Sequence, residues 1–215
     1  MNMKTRKITI LAMLVAISFA AVFFLRIPIV LFLKYDPKDV IITIGGLIWG
    51  PLTSLLVSII VSTIEMITIS ETGIIGLIMN ILASCFFACP AAIIYKRRRT
   101  LSGAVIGLIV GAIASTAIML LWNYLITPFY MGVPRAEVAK LLIPALLPFN
   151  LLKTGLNAAF TMLLYKPIIN SLKKANLISN DSAQQISHRN LGTIFVSIVV
   201  IVTGILVALS LKGII

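Results

Sequence analysis

Polar side chains inside apolar blocks are the residues of this sequence that could do chemistry. Lys153 lies in the run LLPFNLLKTGLN, with Asn150 three residues before it and Asn157 four residues after it. Residues three or four apart share a helix face, so these side chains can face inward together. A lysine inside a membrane-spanning block is expensive and usually faces a cavity or a partner. We therefore predict that Lys153 donates to a ligand, with snorkelling to the interface or a salt bridge to Glu65 as the alternatives.

Other polar and aromatic residues extend this pattern. Asn80 and Asn123 also lie within apolar blocks, where an amide without partners is costly. Tyr35 and Tyr130 lie in the segments that connect such blocks. Aromatic side chains near amides suit a planar ligand, although Tyr and Trp also concentrate at membrane interfaces for purely physical reasons.

Catalytic and metal-binding motifs are not found in the sequence. It contains no GxxxxGK[ST] and no HExxH, and its single histidine is His188. Cys85 and Cys89 are four residues apart, but no other ligand is nearby, so we interpret them as small packing residues. These observations argue against an enzyme, a metal site and a bound cofactor, and against hydrolysis of ATP by this chain.

Composition sets the fold class. The chain has 215 residues, of which 60% are hydrophobic and 11% charged, whereas soluble domains are nearer one quarter charged. Its apolar blocks approach the roughly 20 residues that a helix needs to cross a bilayer. The sequence therefore predicts an all-α, polytopic membrane helix bundle embedded in lipid. The net charge of +12 comes from short loops between the blocks, where it acts as a topology signal and not as a nucleic-acid footprint.

The apolar blocks predict a six-helix core and a seventh C-terminal transmembrane helix. Gly50-Pro51 separates a short second helix from the third, because Pro favours the first helical position. We expect a substrate-binding domain over residues 1–175, and a polar linker with the extra helix over residues 176–215. The predicted helices are Ile8–Leu25, Asp39–Trp49, Pro51–Ile69, Ile74–Tyr95, Leu101–Leu125, a helix from about Pro144 or Pro148 to Tyr165, and Leu191–Leu211.

Two connecting segments, 26–38 and 126–140, are predicted to be long irregular loops. The amino terminus and the loops after helices 4 and 6 hold 3, 4 and 4 Lys and Arg residues, against 3 and 2 after helices 1 and 5. Basic residues favour the cytoplasmic side, so we predict a cytoplasmic amino terminus in the cell membrane. Both irregular loops then lie outside, where they would cover a pocket. Pro144 and Pro148 are predicted to break the sixth helix and free backbone groups for a ligand.

Small residues mark one face of the first helix. Ala12, Ala16 and Ala20 are spaced four apart, which lets another helix approach closely. We predict that this face docks on a partner.

Four segments in order resemble a known family. They are KYDPKDVIITIGGLIWGP (Lys34–Pro51), GLIMNILAS (Gly76–Ser84), NYLITPFYMGVPR (Asn123–Arg135) and LLPFNLLKTGLN (Leu146–Asn157). Together they resemble the substrate-binding S component of energy-coupling factor (ECF) vitamin transporters, and are most similar to the riboflavin-specific type.

The resemblance implies a division of labour. The S component would bind riboflavin with high affinity from outside, while an ECF membrane scaffold subunit and two ATPase subunits supply energy. It implies docking through Ala12, Ala16 and Ala20, ligand contacts at Asn123 and Lys153, and lid contacts near Tyr35. With the polar and aromatic residues above, the expected ligand-binding residues are Tyr35, Asn80, Asn123, Tyr130, Asn150 and Lys153.

Three other interpretations remain open. The same scaffold could serve another vitamin, such as thiamine or biotin. A membrane enzyme would need paired carboxylates, a Ser/His pair or metal ligands within the spans. A secondary transporter would favour repeated halves with broken helices, and the sequence shows no internal repeat.

Overall fold

A computed structural model describes residues 3–30, 33–174 and 191–211, and these residues are mostly helical. Five helical segments within them are long and apolar enough to cross a membrane, and a shorter apolar helix follows near the carboxyl terminus. The predicted all-α membrane bundle is confirmed. The helices are α1 (Met3–Leu25), α2 (Lys38–Trp49), α3 (Pro51–Thr68), α4 (Gly73–Arg98), α5 (Leu101–Met131), α6 (Arg135–Leu141), α7 (Leu147–Lys174) and α8 (Leu191–Leu211).

The first predicted loop contains a small β-hairpin. Strands β1 (Ile27–Val30) and β2 (Leu33–Tyr35) pair antiparallel, with Ile27 opposite Tyr35. Pro28 is tolerated because a two-stranded sheet has only edge strands, on which a missing N–H is not required. Ile29 and Tyr35 are buried against α7. The hairpin thus carries the chain from α1 back onto the bundle and delivers it to α2.

The prediction of a second long irregular loop is wrong. Helix α5 continues through Pro128 to Met131, and α6 begins at Arg135. The apolar run ITPFYM stays helical because backbone groups in a membrane must be satisfied internally. The predicted break at Pro144 and Pro148 is also wrong. A π-helical turn (Leu142–Leu146) contains Pro144 and joins α6 to α7 without leaving the helical path; such turns absorb irregular bonding within helices.

The predicted break between α2 and α3 is confirmed. Gly50 has φ 100°, a conformation that favours glycine, and Pro51 is the first residue of α3. Helix α2 therefore has only 12 residues. Because it is too short to cross the bilayer, its first turn, with Lys38 and Asp39, lies inside the bundle.

Helices α4 and α5 approach each other closely and form one wall of the bundle. A Cβ at Gly111 would lie 2.2 Å from the Phe87 carbonyl oxygen, so only glycine permits this approach. One turn further along α5, Ser115 Oγ donates to the Ala83 carbonyl oxygen of α4 at 3.0 Å. Helices α4 and α5 are thus held at a fixed, short distance from each other.

An apolar core fills the end of the bundle that lies away from the hairpin. Ile44 and Leu47 of α2 pack with Tyr95 of α4 and Tyr165 of α7, whose hydroxyls are 2.8 Å apart. Tyr95 directly precedes the basic run Lys96–Arg99. The end of the bundle away from the hairpin is therefore filled by packed side chains.

Candidate ligand-binding site

Three charged side chains are buried where the hairpin leads into α2. Asp36, Lys38 and Asp39 are 6%, 1% and 2% exposed. A buried charge is costly unless it is paired and hydrogen-bonded. These three find partners on α3, α4 and α7, so the segment DPKD ties the start of α2 to three other helices.

Lys38 forms the shortest of the ion pairs. Its Nζ donates to Glu65 Oε1 at 2.7 Å and to Glu65 Oε2 at 2.9 Å. Glu65 Oε2 also accepts from Asn80 Nδ2 at 3.0 Å. Glu65 therefore pairs with Lys38, and the alternative of a Lys153–Glu65 salt bridge is ruled out. Lys38 is also a second buried basic side chain, beyond the single one expected from the sequence.

Lys153 pairs with the two aspartates of the same segment. Its Nζ lies 3.2 Å from Asp36 Oδ2 and 3.9 Å from Asp39 Oδ2. The Lys153 side chain is 14% exposed, so it does not snorkel to the interface. Asp39 additionally accepts from Ser84 Oγ at 2.5 Å and from Asn157 Nδ2 at 3.3 Å. Both aspartates thus depend on α7 for their charge balance.

Tyr35 completes the network from the hairpin side. Its hydroxyl donates to Asn157 Oδ1 at 3.1 Å. Burial raises the pKa of Tyr35, and the carboxylates of Asp36 and Asp39 raise it further, so the phenol stays protonated and can donate. Burial opposes ionisation of Asp36, but the charges of Lys153 and Lys38 outweigh it and hold its pKa below the usual range.

A cavity of about 260 Å³ lies beside this network, between α4, α5, α7 and the hairpin. Its apolar lining comes mainly from α4 and α5, and its polar lining comes from the hairpin segment and from α2, α4, α5 and α7. The apolar residues include Ile75, Met79, Met119, Trp122, Ile126 and Phe149; the polar ones include Asp36, Asp39, Asn80, Asn123, Asn150 and Lys153. Apolar walls with a few convergent polar groups are the usual form of a small-molecule site.

The structure brings five of the six expected ligand-binding residues to this cavity: Asn80, Asn123, Tyr130, Asn150 and Lys153. Tyr35 does not line it; its ring is buried against α7 and its hydroxyl supports Asn157. Of the aromatic residues of α5, Trp122 and Tyr130 line the cavity. Tyr124 and Phe129 are exposed on the outer surface.

Two amides of the cavity, those of Asn123 and Asn150, are held by their own helices. Asn123 Nδ2 donates to the Met119 carbonyl oxygen at 2.7 Å, and Asn123 Oδ1 accepts from Thr127 Oγ1 at 2.9 Å. Asn150 Nδ2 donates to the Leu146 carbonyl oxygen at 2.7 Å. An amide group carries two N–H donors, so each can hold its orientation and still donate once to a ligand.

Sequence reasoning missed Asp36 and Asp39 as site residues, because Asp36 stood in a segment interpreted as a loop and Asp39 stood as the first residue of the predicted short second helix. One signal was available: a charged DPKD segment directly preceding the apolar helix α2. No group of three or more His, Cys, Asp and Glu side chains among residues 3–30, 33–174 and 191–211 could hold a metal ion.

Comparison with known proteins decides the class. The model of the family described as ECF transporter, substrate-specific component, matches residues 6–165. The chain belongs to this family. It is therefore the S component of a membrane transporter, and the predicted family and fold are confirmed.

Relatives of this S component include riboflavin transporters. It is 30% identical to riboflavin transporter FmnP of Bacillus subtilis over 163 residues, covering 70% of this chain and 85% of FmnP. It is 29% identical to riboflavin transporter RibU of Staphylococcus aureus over 183 residues, covering 81% and 95%. A solved S component of a bacterial ECF transporter is 27% identical, with a TM-score of 0.66, and the match covers 80% of this chain and 99% of that one.

The alanine face of the S component lies on the outside of the bundle. Ala12 and Ala16 are exposed and Ala20 is half-buried. The opposite face of α1 buries Ile10, Leu14 and Val15 with residues of α2 and α3. The three alanines therefore do not serve as core packing, and their surface is open to lipid or to another helix.

Proposed function

We propose that this S component binds riboflavin in the cavity and mediates its uptake. The carrying observation is the cavity itself, which has apolar walls on α4 and α5 together with the amides of Asn80, Asn123 and Asn150 and the ammonium group of Lys153. Riboflavin has a flat apolar ring system with a polar pyrimidine edge and a flexible ribityl chain. Such a ligand needs apolar walls and a few placed hydrogen-bonding groups. The riboflavin transporters among the relatives support the same choice.

Within this proposal, the predicted residues divide into direct contacts and support. Lys153, Asn123, Asn150 and Asn80 would donate to polar ligand atoms, and Trp122 and Tyr130 would pack against the ring. Tyr35 would act indirectly, through Asn157 and the hairpin. The geometry that supports this division is the placement of Tyr35 outside the cavity lining.

Purified protein is expected to bind riboflavin at one site per chain and to quench flavin fluorescence, because the ring would pack against Trp122. A fluorescence titration measures this, with thiamine and biotin as competitors that should not displace the flavin. Binding of thiamine or biotin to protein that shows no riboflavin quenching would assign the cavity to another vitamin.

We further propose that the S component works with an ECF scaffold subunit and two ATPase subunits, with its amino terminus in the cytoplasm. The sequence contains no P-loop, so energy from ATP must come from other chains. The basic run Lys96–Arg99 ends α4 at the end of the bundle away from the hairpin. Positive residues favour the cytoplasmic side, so the hairpin and cavity would face outside.

Replacing Ala16 by leucine is expected to reduce transport by roughly tenfold or more while leaving riboflavin affinity unchanged, because a bulky side chain blocks close helix approach. Ala117 of α5 is also exposed, and Ala117→Leu is the matched control, which should transport normally. Uptake by the complete complex and binding to the isolated S component are measured in parallel. Equal transport by both variants would show that the alanine face is not the docking surface.

A further inference from the structure

Helix α8 packs on the bundle through one narrow seam. Its less exposed residues recur at Ile194, Ser197, Ile201, Gly204 and Ala208. Alternating spacings of three and four are those of a helix that packs lengthwise on a neighbour. Most other α8 side chains, such as Phe195 and Val202, are exposed. The seam is therefore a specific contact, and the remaining surface suits lipid.

Gly204 sets the distance at the middle of this seam. A Cβ at this position would lie 2.7 Å from Leu156 Cδ2 and 3.2 Å from Leu152 Cδ1, both on α7. Small residues permit such close approach of helices in membranes. Gly192, near the start of the same helix, has nothing within 4 Å of an added Cβ.

The seam continues onto the hairpin. Ile201 and Ala208 pack against the cluster that contains Ile29 of β1 and Tyr35 of β2. The same cluster contains Phe149, which lines the cavity. Helix α8 thus lies behind the hairpin and behind one wall of the cavity, without lining the cavity itself.

The hairpin needs such support. Its strands have four and three residues, and an isolated two-stranded hairpin is at best marginally stable. Leu33 and Lys34 of β2 and the following Asp36 line the cavity, so movement of the hairpin would open the site. Helix α8 lies outside residues 6–165, which the family model matches, so the family core does not account for it.

We propose that α8 is a positioning helix that holds the β1–β2 hairpin against α7 and thereby slows ligand release. In this role it would set the lifetime of the complex and leave the contacts between ligand and cavity unchanged. The choice of riboflavin as the probe rests on the proposed function, whereas the support of the hairpin does not.

The first experiment needs no ligand. Hydrogen exchange of β1 and β2 is compared in full-length Gly204→Leu and in the matched control Gly192→Leu, both in lipid nanodiscs. Gly204→Leu should push α8 away from Leu156 and raise exchange in the hairpin by about tenfold, since local opening depends on buried contacts. Gly192→Leu should match the unaltered protein. Equal hairpin exchange in both variants would overturn the proposal, whatever the vitamin.

The second experiment measures release. Bound tritiated riboflavin is chased with unlabelled riboflavin, and Gly204→Leu is expected to dissociate about three- to tenfold faster with little change in association rate, because packing changes act mainly on dissociation. Adding Leu156→Ala to Gly204→Leu makes room for the new leucine at the contact between α7 and α8, and should restore slow release. If Gly204→Leu fails to fold, Ile201→Ala serves in its place, because it removes part of the contact without introducing a clash. It should also speed release.

Unchanged dissociation in Ile201→Ala, or in a folded Gly204→Leu, would show that α8 does not affect ligand release. Absence of riboflavin binding by the unaltered protein would contradict the proposed function, and the exchange result alone would then test whether α8 positions the hairpin.

Discussion

Lys38→Met is expected to destabilise the S component by about 3–5 kcal/mol, because it leaves the Glu65 carboxylate buried without its counter-charge. Both side chains are almost inaccessible, at 1% and 3% exposure, and the atoms are 2.7 Å apart. The free energy of unfolding can be measured by SDS titration in mixed micelles. A fall of this size would identify the pair as the charge balance that holds the head of α2 to α3.

Two further variants make this result specific. Lys38→Met combined with Glu65→Gln removes both charges and keeps an acceptor for Asn80, so it should recover most of the lost stability. Lys140→Met breaks the pair with Glu137, whose side chains are 72% and 58% exposed, and exposed pairs contribute little. A Lys38→Met protein as stable as Lys140→Met would mean that Glu65 is held neutral and that the pair is not ionic.

The helices were predictable because their signals are local. The Gly50-Pro51 dipeptide and the basic run after Tyr95 each act over a few residues, and the predicted ends of α2, α3 and α4 agree with the structure to within three residues. The end of α5 was not predictable in this way. Pro128 usually ends helices in water, whereas in a membrane the need to satisfy backbone groups favours continuing the helix.

The lining of the candidate site was predictable only in part. Lys153, Asn123 and Asn150 stood out because polar groups in apolar blocks are costly, and that cost is visible in the sequence. The pairing between charges was not visible. From the sequence, Lys38 was counted as a loop residue that indicates topology. In the structure it is buried and pairs with Glu65, 27 positions away. This pairing depends on how deep inside the bundle the 12-residue helix α2 begins. No local sequence pattern specifies that depth.

The connection between Lys153 and the two aspartates changes what its removal should do. From the sequence alone, an apolar substitution at Lys153 removes a buried cost and leaves folding nearly unharmed. In the structure, Lys153 is a close charged partner of both Asp36 and Asp39, at 3.2 and 3.9 Å. Removing the ammonium leaves two carboxylates close together in a buried site, where like charges repel. Stability and affinity should therefore fall together.

Lys153→Met is accordingly expected to lower riboflavin affinity by about 10- to 100-fold, the loss of one charge-assisted hydrogen bond, and to lower the melting temperature as well. The two effects can be separated with Lys153→Met plus Asp36→Asn, which removes one of the stranded carboxylates. The double variant should regain thermal stability but not affinity, because the donor to the ligand is still missing. Flavin titration and thermal unfolding of both variants measure this. If affinity returns with stability in the double variant, Lys153 acts only by balancing the aspartates, and the ligand contact must come from the asparagines that line the cavity.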